Sequence, residues 1–271
     1  DSLSFAAAKS LYFSGAIENA KNRLNSYIEA FDKGYNRTEA LFYLSDCYVL
    51  LDNRPQALKN MEALLDLGQT QYRERVLDVY ARMTFDEQEY EKSANAYLEL
   101  YNSAHDLKSR QIASEGYIDA SRYYLVGGRL KDAADEVLKM ADATDWATRQ
   151  ALLIKADVLR EDGNMMEAVG LYKKLAENTM VVEGAEAYYR LVENDFINGD
   201  YATAEERVYA LDRCCSEYWQ ARIFIVLGDV LVKTNNLFQA RATFQSIVDG
   251  YSVPDDGIIA QAKQRIASIG K

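Results

Sequence analysis

The chain is poor in whatever interrupts a helix or builds a catalytic centre. Its 271 residues contain two prolines, Pro55 and Pro254, and 14 glycines. So few breakers exclude a fold of many short strands and tight turns, and they leave room for long helices. There is a single histidine, His105, so a Ser/His/Asp or Cys/His centre would have to be built around it. No second His or Cys stands at ligand spacing beside it, and it is read as a solvated loop residue. Three cysteines, Cys47, Cys214 and Cys215, are too few for a disulfide framework and form no zinc pattern. The adjacent Cys214 and Cys215 are read as free thiols near a helix end, not as a strained vicinal redox bridge.

Long apolar runs are missing too. The strongest candidate, Ile223-Phe224-Ile225-Val226-Leu227, is cut by Gly228-Asp229, so no membrane-spanning segment is expected. Basic residues are outnumbered, 31 against 42 acids, for a net charge of −11. That balance excludes nucleic acid or an anionic membrane surface as a general partner and favours a neutral or basic protein. No glycine-rich phosphate loop occurs, and Gly127-Gly128 reads as a turn between helices. No basic-then-apolar targeting segment follows Asp1, so the expectation is either a removed leader or a piece of a longer protein.

What the chain does have is a repeat. Asn198-Gly199-Asp200-Tyr201-Ala202-Thr203-Ala204 returns in seven versions, each with a turn position, a residue two later that is apolar or aromatic in all but the second (Arg54), and a small residue five later. The small residues, taken as anchors, are Ala20, Ala57, Ser93, Ala133, Ala168, Ala204 and Ala240, spaced 37, 36, 40, 35, 36 and 36 apart. A period in that range signals stacked helix pairs and not a single globule. Each unit reads as helix A, short turn, helix B.

The register holds along the whole array. Four after the anchors stand Leu24, Met61, Tyr97, Val137, Tyr172, Val208 and Phe244; seven after stand Tyr27, Leu64, Leu100, Met140, Leu175, Leu211 and Ile247. Twelve before them, on helix A, stand Ala8, Ser45, Ala81, Ser121, Ala156, Val192 and Gly228, nearly all small. Small residues on both helices allow close approach, with larger side chains interlocking around the contact. Gly15, Gly128, Gly163 and Gly199 are expected as left-handed helix ends, with Asn235 as a substitute, Asp200 as an N-cap and Pro55 in a first turn. The one long period places its extra residues in a loop around Asn102 to Lys108. Residues 1–252 are read as seven repeats and 253–271 as a capping helix with Ile258, Ile259, Ala262, Ile266 and Ile269 on one face. Nothing equivalent precedes the first repeat, so further repeats or another domain are expected upstream.

The pattern Gly-x-Tyr-x-x-Ala at Gly199 to Ala204, degenerate at the other six sites, resembles the tetratricopeptide repeat over residues 1–252. The resemblance implies an all-α solenoid of helix-turn-helix repeats wound as a right-handed superhelix, with helices A lining a concave groove. It also implies a non-enzymatic protein-interaction scaffold with no cofactor and no metal. The family's proline after helix B is missing from every unit, and its Leu-Gly pair survives only at Leu227-Gly228. The stretch from Tyr218 to Ile247 is also similar to the C-terminal end of long repeat proteins of the Bacteroidota cell envelope, which implies a periplasmic or outer-membrane-associated setting, with a cytoplasmic one as the alternative.

If helices A line a groove, residues eleven before each anchor project into it: Lys9, Asp46, Arg82, Arg122, Asp157, Glu193 and Asp229. Eighteen before come Ser2, Glu39, Arg75, Glu115, Gln150, Glu186 and Arg222. Arg75, Arg82 and Arg122 would form a basic centre, and Asp157, Glu186, Glu193 and Asp229 an acidic C-terminal half. Phe42, Ile118, Leu153, Tyr189 and Ile225, fifteen before, would supply an apolar floor between the charges. The expected ligand is a peptide or protein segment, with an acidic part at the arginines and a basic part towards the last repeats. The other reading is a glycan-binding or enzyme-associated module using Tyr123, Tyr124, Tyr188 and Tyr189.

Overall fold

A computed structural model describes residues 1–269, which form fifteen α-helices with no strand among the described residues. The A helices are α1 (Ser2–Phe13), α3 (Arg37–Leu50), α5 (Arg73–Asp86), α7 (Leu107–Tyr124), α9 (Asp145–Glu161), α11 (Val182–Ile197) and α13 (Glu217–Lys233). The B helices are α2 (Ile17–Ala30), α4 (Arg54–Asp66), α6 (Tyr90–Ser103), α8 (Gly127–Lys139), α10 (Met165–Ala176), α12 (Tyr201–Ala210) and α14 (Leu237–Gly250). A last helix, α15, runs Ile258–Ile269. The expected helix-turn-helix repeats are therefore present.

The chain divides into two compact units. Asp1–Arg129 and Glu136–Ala147 make the first, and Leu130–Asp135 with the chain from Thr148 onward makes the second. The division runs through α8, in the fourth repeat.

The core of each hairpin is the contact foreseen between small and large columns. All seven anchors are buried, as are all seven residues twelve before and all seven residues four after them. In the third repeat the anchor touches helix A directly: Ser93 Oγ donates to the carbonyl of Ala81 at 2.8 Å. Side-chain sizes are matched across the contact. Val192, the largest of the small column, faces a repeat whose fourth-after residue is Val208; Gly228, the smallest, lies under Phe244. A Cβ built on Gly228 would come within 2.4 Å of the Phe244 ring, closer than non-bonded carbons can approach. The same ring column also serves the next repeat, since a Cβ on Gly116 of α7 would lie 2.4 Å from the Tyr97 ring of α6. Leu211 alone of the seven-after column is only half-buried.

Six of the seven hairpins close in one way. The residue five before the anchor is left-handed at Gly15, Asp52, Gln88, Gly163, Gly199 and Asn235. In the sixth repeat Gly199 N–H donates to the Phe196 carbonyl at 3.0 Å and Asp200 N–H to the Asp195 carbonyl at 2.9 Å. This pair of bonds satisfies the last carbonyls of helix A and aims the chain into helix B. The same pair recurs in the third repeat, from Gln88 to Phe85 and from Glu89 to Thr84.

The fourth repeat differs. There Gly127, not the expected Gly128, is left-handed, and Leu125 and Val126 are extended between α7 and α8. Its extra residues do not form the expected loop either: α6 reaches Ser103, α7 begins at Leu107 and runs 18 residues, and two of the extra residues fall after α7, which ends nine before its anchor where the other A helices end seven before. Asp106 caps α7 by accepting from Ser109 N–H at 2.8 Å, which lets the helix start early. Asp200 stands at the N-cap of α12 but makes no side-chain capping bond, whereas Asn53, ahead of Pro55, accepts from Gln56 N–H at 3.4 Å.

Replacing Gly228 by Ala is expected to destabilise the chain by about 1–3 kcal/mol in urea unfolding, by overpacking against Phe244. The loss should shrink in a Phe244→Leu background, where the ring is gone. Gln88 holds a left-handed conformation that costs a side-chain-bearing residue about 1–2 kcal/mol, part of which glycine returns as unfolded-state entropy. Gln88→Gly should therefore stabilise by about 0.5–1 kcal/mol, read as a higher urea midpoint.

Candidate interaction site

The columns eleven, fifteen and eighteen before each anchor lie on helices A, and the two units use them differently. In the first unit they meet as a ladder of rings and charges across α1, α3 and α5. Lys9 Nζ donates to Glu39 Oε1 at 2.7 Å, and Tyr12 donates to the Asp46 carboxylate. The Tyr12 and Tyr43 rings lie 4.8 Å apart, Tyr43 and Phe42 5.5 Å, and Phe42 stacks on Tyr72 at 4.4 Å. Cations cover the ladder from outside: Lys9 stands 5.5 Å from the Tyr43 ring and the Arg75 guanidinium 5.1 Å from Phe42. Phe13, edge-on to Tyr43, is 67% exposed. The hydrogen bond to Glu39 holds the Lys9 ammonium above its usual pKa.

The basic centre is not the bare positive patch that was expected. Arg82 Nη2 lies 2.9 Å from Asp78 and Arg122 Nη2 2.6 Å from Asp119, each acid on the arginine's own helix. Arg82, Asp86 and Asp119 line one cleft with Phe85, Tyr97 and Gly116. Helical spacing of three and four residues puts these acids beside the arginines, and reading single columns missed them.

In the second unit the acids are also paired. Arg190, on α11, reaches three of them: 3.3 Å to Glu186, 3.3 Å to Glu193 and 3.8 Å to Asp157 on α9. Asp157 accepts from Tyr172 at 2.5 Å and lies 3.9 Å from Arg160. Asp229 is held by Arg265 of α15 at 3.0 Å. Glu193 accepts from Tyr189, whose hydroxyl oxygen in turn accepts from Arg222 at 2.6 Å. Arg222 also donates to Tyr218 at 2.9 Å, and its guanidinium sits 4.6 Å from the Tyr189 ring and 5.9 Å from Trp219. The four predicted carboxylates are thus each paired, with Arg160, Arg190 or Arg265, and do not stand as a bare acidic surface.

Burial and the neighbouring Asp157 raise the Glu186 carboxyl above the ordinary range, against the pull of Arg190. Burial works to lower the Arg190 guanidinium, but Asp157, Glu186 and Glu193 outweigh it and leave its pKa raised.

The apolar floor is corrected as well. Phe42, Ile118, Leu153, Tyr189 and Ile225 are all at most 9% exposed. Position fifteen-before lies three residues from twelve-before, so it shares the helix face that meets helix B. Of the four tyrosines in the glycan reading, Tyr189 is buried and Tyr124 and Tyr188 are half-buried, with the Tyr188 hydroxyl donating to the Arg207 carbonyl at 2.6 Å. Exposed Tyr123 has one face against Tyr90, at 4.4 Å, and Phe85 edge-on beside it. These contacts leave no paired open rings, and that reading loses its support. His105, in the short segment before α7, is exposed and touches Glu74. Cys47 is buried, which raises its thiol to about 11, while Cys214 and Cys215 are free thiols between α12 and α13.

Because the folded-state pKa of Glu186 is raised, this group favours the folded state most below the ordinary glutamate pKa of about 4.3, and that contribution is lost as pH rises through the folded value. The unfolding free energy of the natural chain minus that of Glu186→Gln should accordingly grow as pH falls through the same window. Urea titrations at stepped pH check it, and a flat difference would remove Glu186 from the network.

No family model matches the chain, and no curated protein does. Among solved structures, the chain is similar to a tetratricopeptide repeat protein from Parabacteroides merdae, at 14% identity over 100% of this chain and 98% of that one, with a TM-score of 0.39. It is also similar to the C-terminal part of a TPR repeat-containing protein from Cytophaga hutchinsonii, at 13% identity over 98% of this chain and 95% of that one, with a TM-score of 0.43.

Proposed function

We propose that the chain is a non-enzymatic scaffold that binds a segment of another protein along the faces of its A helices. The observation that carries this reading is the ladder of the first unit, where Tyr12, Tyr43 and Tyr72 are only half-buried and Phe13 is largely open. Rings held in place by neighbouring rings and cations offer contact area at little entropic cost, which is what a binding face needs. Arg82, with its side chain 59% exposed, offers guanidinium donors to a partner's backbone or carboxylates beyond its bond to Asp78. The contact is then mixed, ring stacking plus hydrogen bonds, and not a match of large opposite charges. The net charge of −11 favours a neutral or basic partner overall. A periplasmic or outer-membrane-associated setting belongs to the same proposal and rests on the resemblance of the stretch from Tyr218 to Ile247 alone.

A photo-crosslinking residue placed singly at Tyr43, Arg82 or Arg122 in the source cell should capture one and the same protein. The same residue at Tyr209, exposed on a B helix, should not. Adducts from Tyr209 alone, or unrelated products from the three A-helix positions, would sink the proposal.

A further inference from the structure

One buried hydroxyl in the first unit has no partner. Tyr97 of α6 is 6% exposed, yet its hydroxyl makes no hydrogen bond among the described residues. Burial pushes the phenol up to about 12, with Asp78, Asp86 and Asp119 adding to the effect against Arg82, so the group is a neutral donor and acceptor. A bond left unmade in such a place costs free energy until something supplies it.

Tyr172 shows what a tyrosine in this column takes. It too stands four after its anchor, donates to Asp157 at 2.5 Å and accepts from Arg160 at 3.2 Å, residues eleven and eight before that anchor. In the third repeat those two places hold Arg82, which is turned to Asp78, and Phe85, which has no polar atom on its side chain. The chain therefore gives Tyr97 neither the acid nor the guanidinium.

The hydroxyl end of the ring reaches the face of the A helices through Gly116 of α7. A Cβ at Gly116 would lie 2.4 Å from Cζ of Tyr97, the carbon that bears the hydroxyl. Two clefts meet there and share Tyr97, Gly116 and Asp119. One adds Ile112, Glu115 and Trp146, the other Arg82, Phe85 and Asp86, and all of these residues belong to the first unit. Three acids thus stand against one base, and the charge of that base is answered by Asp78 at 2.9 Å. Asp119 holds Arg122 through one carboxylate oxygen, at 2.6 Å, and Asp86 lies 3.6 Å from Arg54. A carboxylate has room for several donors, so both can accept more.

A hydroxyl that lacks a donor, carboxylates around it and the rings of Phe85 and Trp146 among the walls suit a guanidinium better than an ammonium. Its planar fork reaches two acceptors at once and stacks on a ring. Arg222 of the second unit is held in this way: it donates to the hydroxyls of Tyr189 at 2.6 Å and Tyr218 at 2.9 Å, and lies 5.9 Å from the Trp219 ring.

We propose that the cleft over Gly116 receives one arginine side chain of the partner, its guanidinium donating to the Tyr97 hydroxyl and to the Asp119 carboxylate. This rests on the binding face proposed above and gives that face its selectivity.

The test uses no partner protein, so its failure and a failure of the crosslinking are told apart. Nα-acetylarginine amide is titrated into the chain labelled with nitrogen-isotope glycine, and the Gly116 amide signal is followed by NMR. That signal should shift to saturation, and the lysine and citrulline counterparts should bind at least about fivefold more weakly. Tyr97→Phe, which keeps the ring and its packing, and Asp119→Asn, on the open side of α7, should each weaken the arginine derivative by about tenfold while the other glycine signals stay in place. No shift at Gly116, equal binding of the lysine or citrulline derivative, or full affinity in either variant would overturn the inference.

Discussion

The structure depends on one repeated contact, the near approach of helix A to helix B at a small residue on each. An α-helix is about 10–12 Å across with its side chains, and two can come closer only where one presents little beyond Cβ. The buried anchors and the column twelve before them provide that place in every repeat. The residue four after the anchor then fills what space is left, which is why Val192 goes with Val208 and Gly228 with Phe244. Gly228 is required by the close approach of the Phe244 ring, whereas Tyr97 and Tyr172 stand in repeats whose twelve-before residues are Ala81 and Ala156, so ring size alone does not call for glycine.

This contact was legible in the sequence because it is made of side-chain volume, and volume repeats with the period. The turns were legible for a related reason: a left-handed position five before the anchor selects Gly, Asn or Asp, and Gln88 was carried by register alone. Reading failed in the fourth repeat. A period of 40 says that four residues are extra but not where they go: part lies in α7, capped by Asp106, and part in the extended Leu125 and Val126 that follow it. Gly127 and Gly128 are equally able to be left-handed, and only the extended Leu125 and Val126 before them select the first.

The candidate site was less legible, and the reason is physical. Columns one period apart describe a single line along the array, whereas charges on a helix interact three and four residues away. Arg190 stands four after Glu186 and three before Glu193, so the spacing that neutralises the supposed acidic half was present in the sequence but lay off the columns that were read. Arg265 comes from α15, outside the repeats, and no periodic reading could have paired it with Asp229. The aromatic ladder was hidden likewise, because Tyr43 lies between the columns that hold Glu39 and Asp46.

The two units thus apply the same helix face to different ends. Half-buried ion pairs contribute little net stability, since loss of hydration offsets most of the attraction, but breaking one leaves a charge without its partner. A network such as Asp157–Arg190–Glu186–Glu193 therefore works mainly against misalignment: α9 and α11 can satisfy it in one register and not in another. The ladder of the first unit sets register by ring packing instead, and ring packing leaves faces and edges uncovered that a partner can use. A face whose charges already answer one another has little left for a ligand, while one held by rings has contact area to spare. That difference, more than the count of charges along either face, separates the two units: rings with open edges in the first, paired charges in the second.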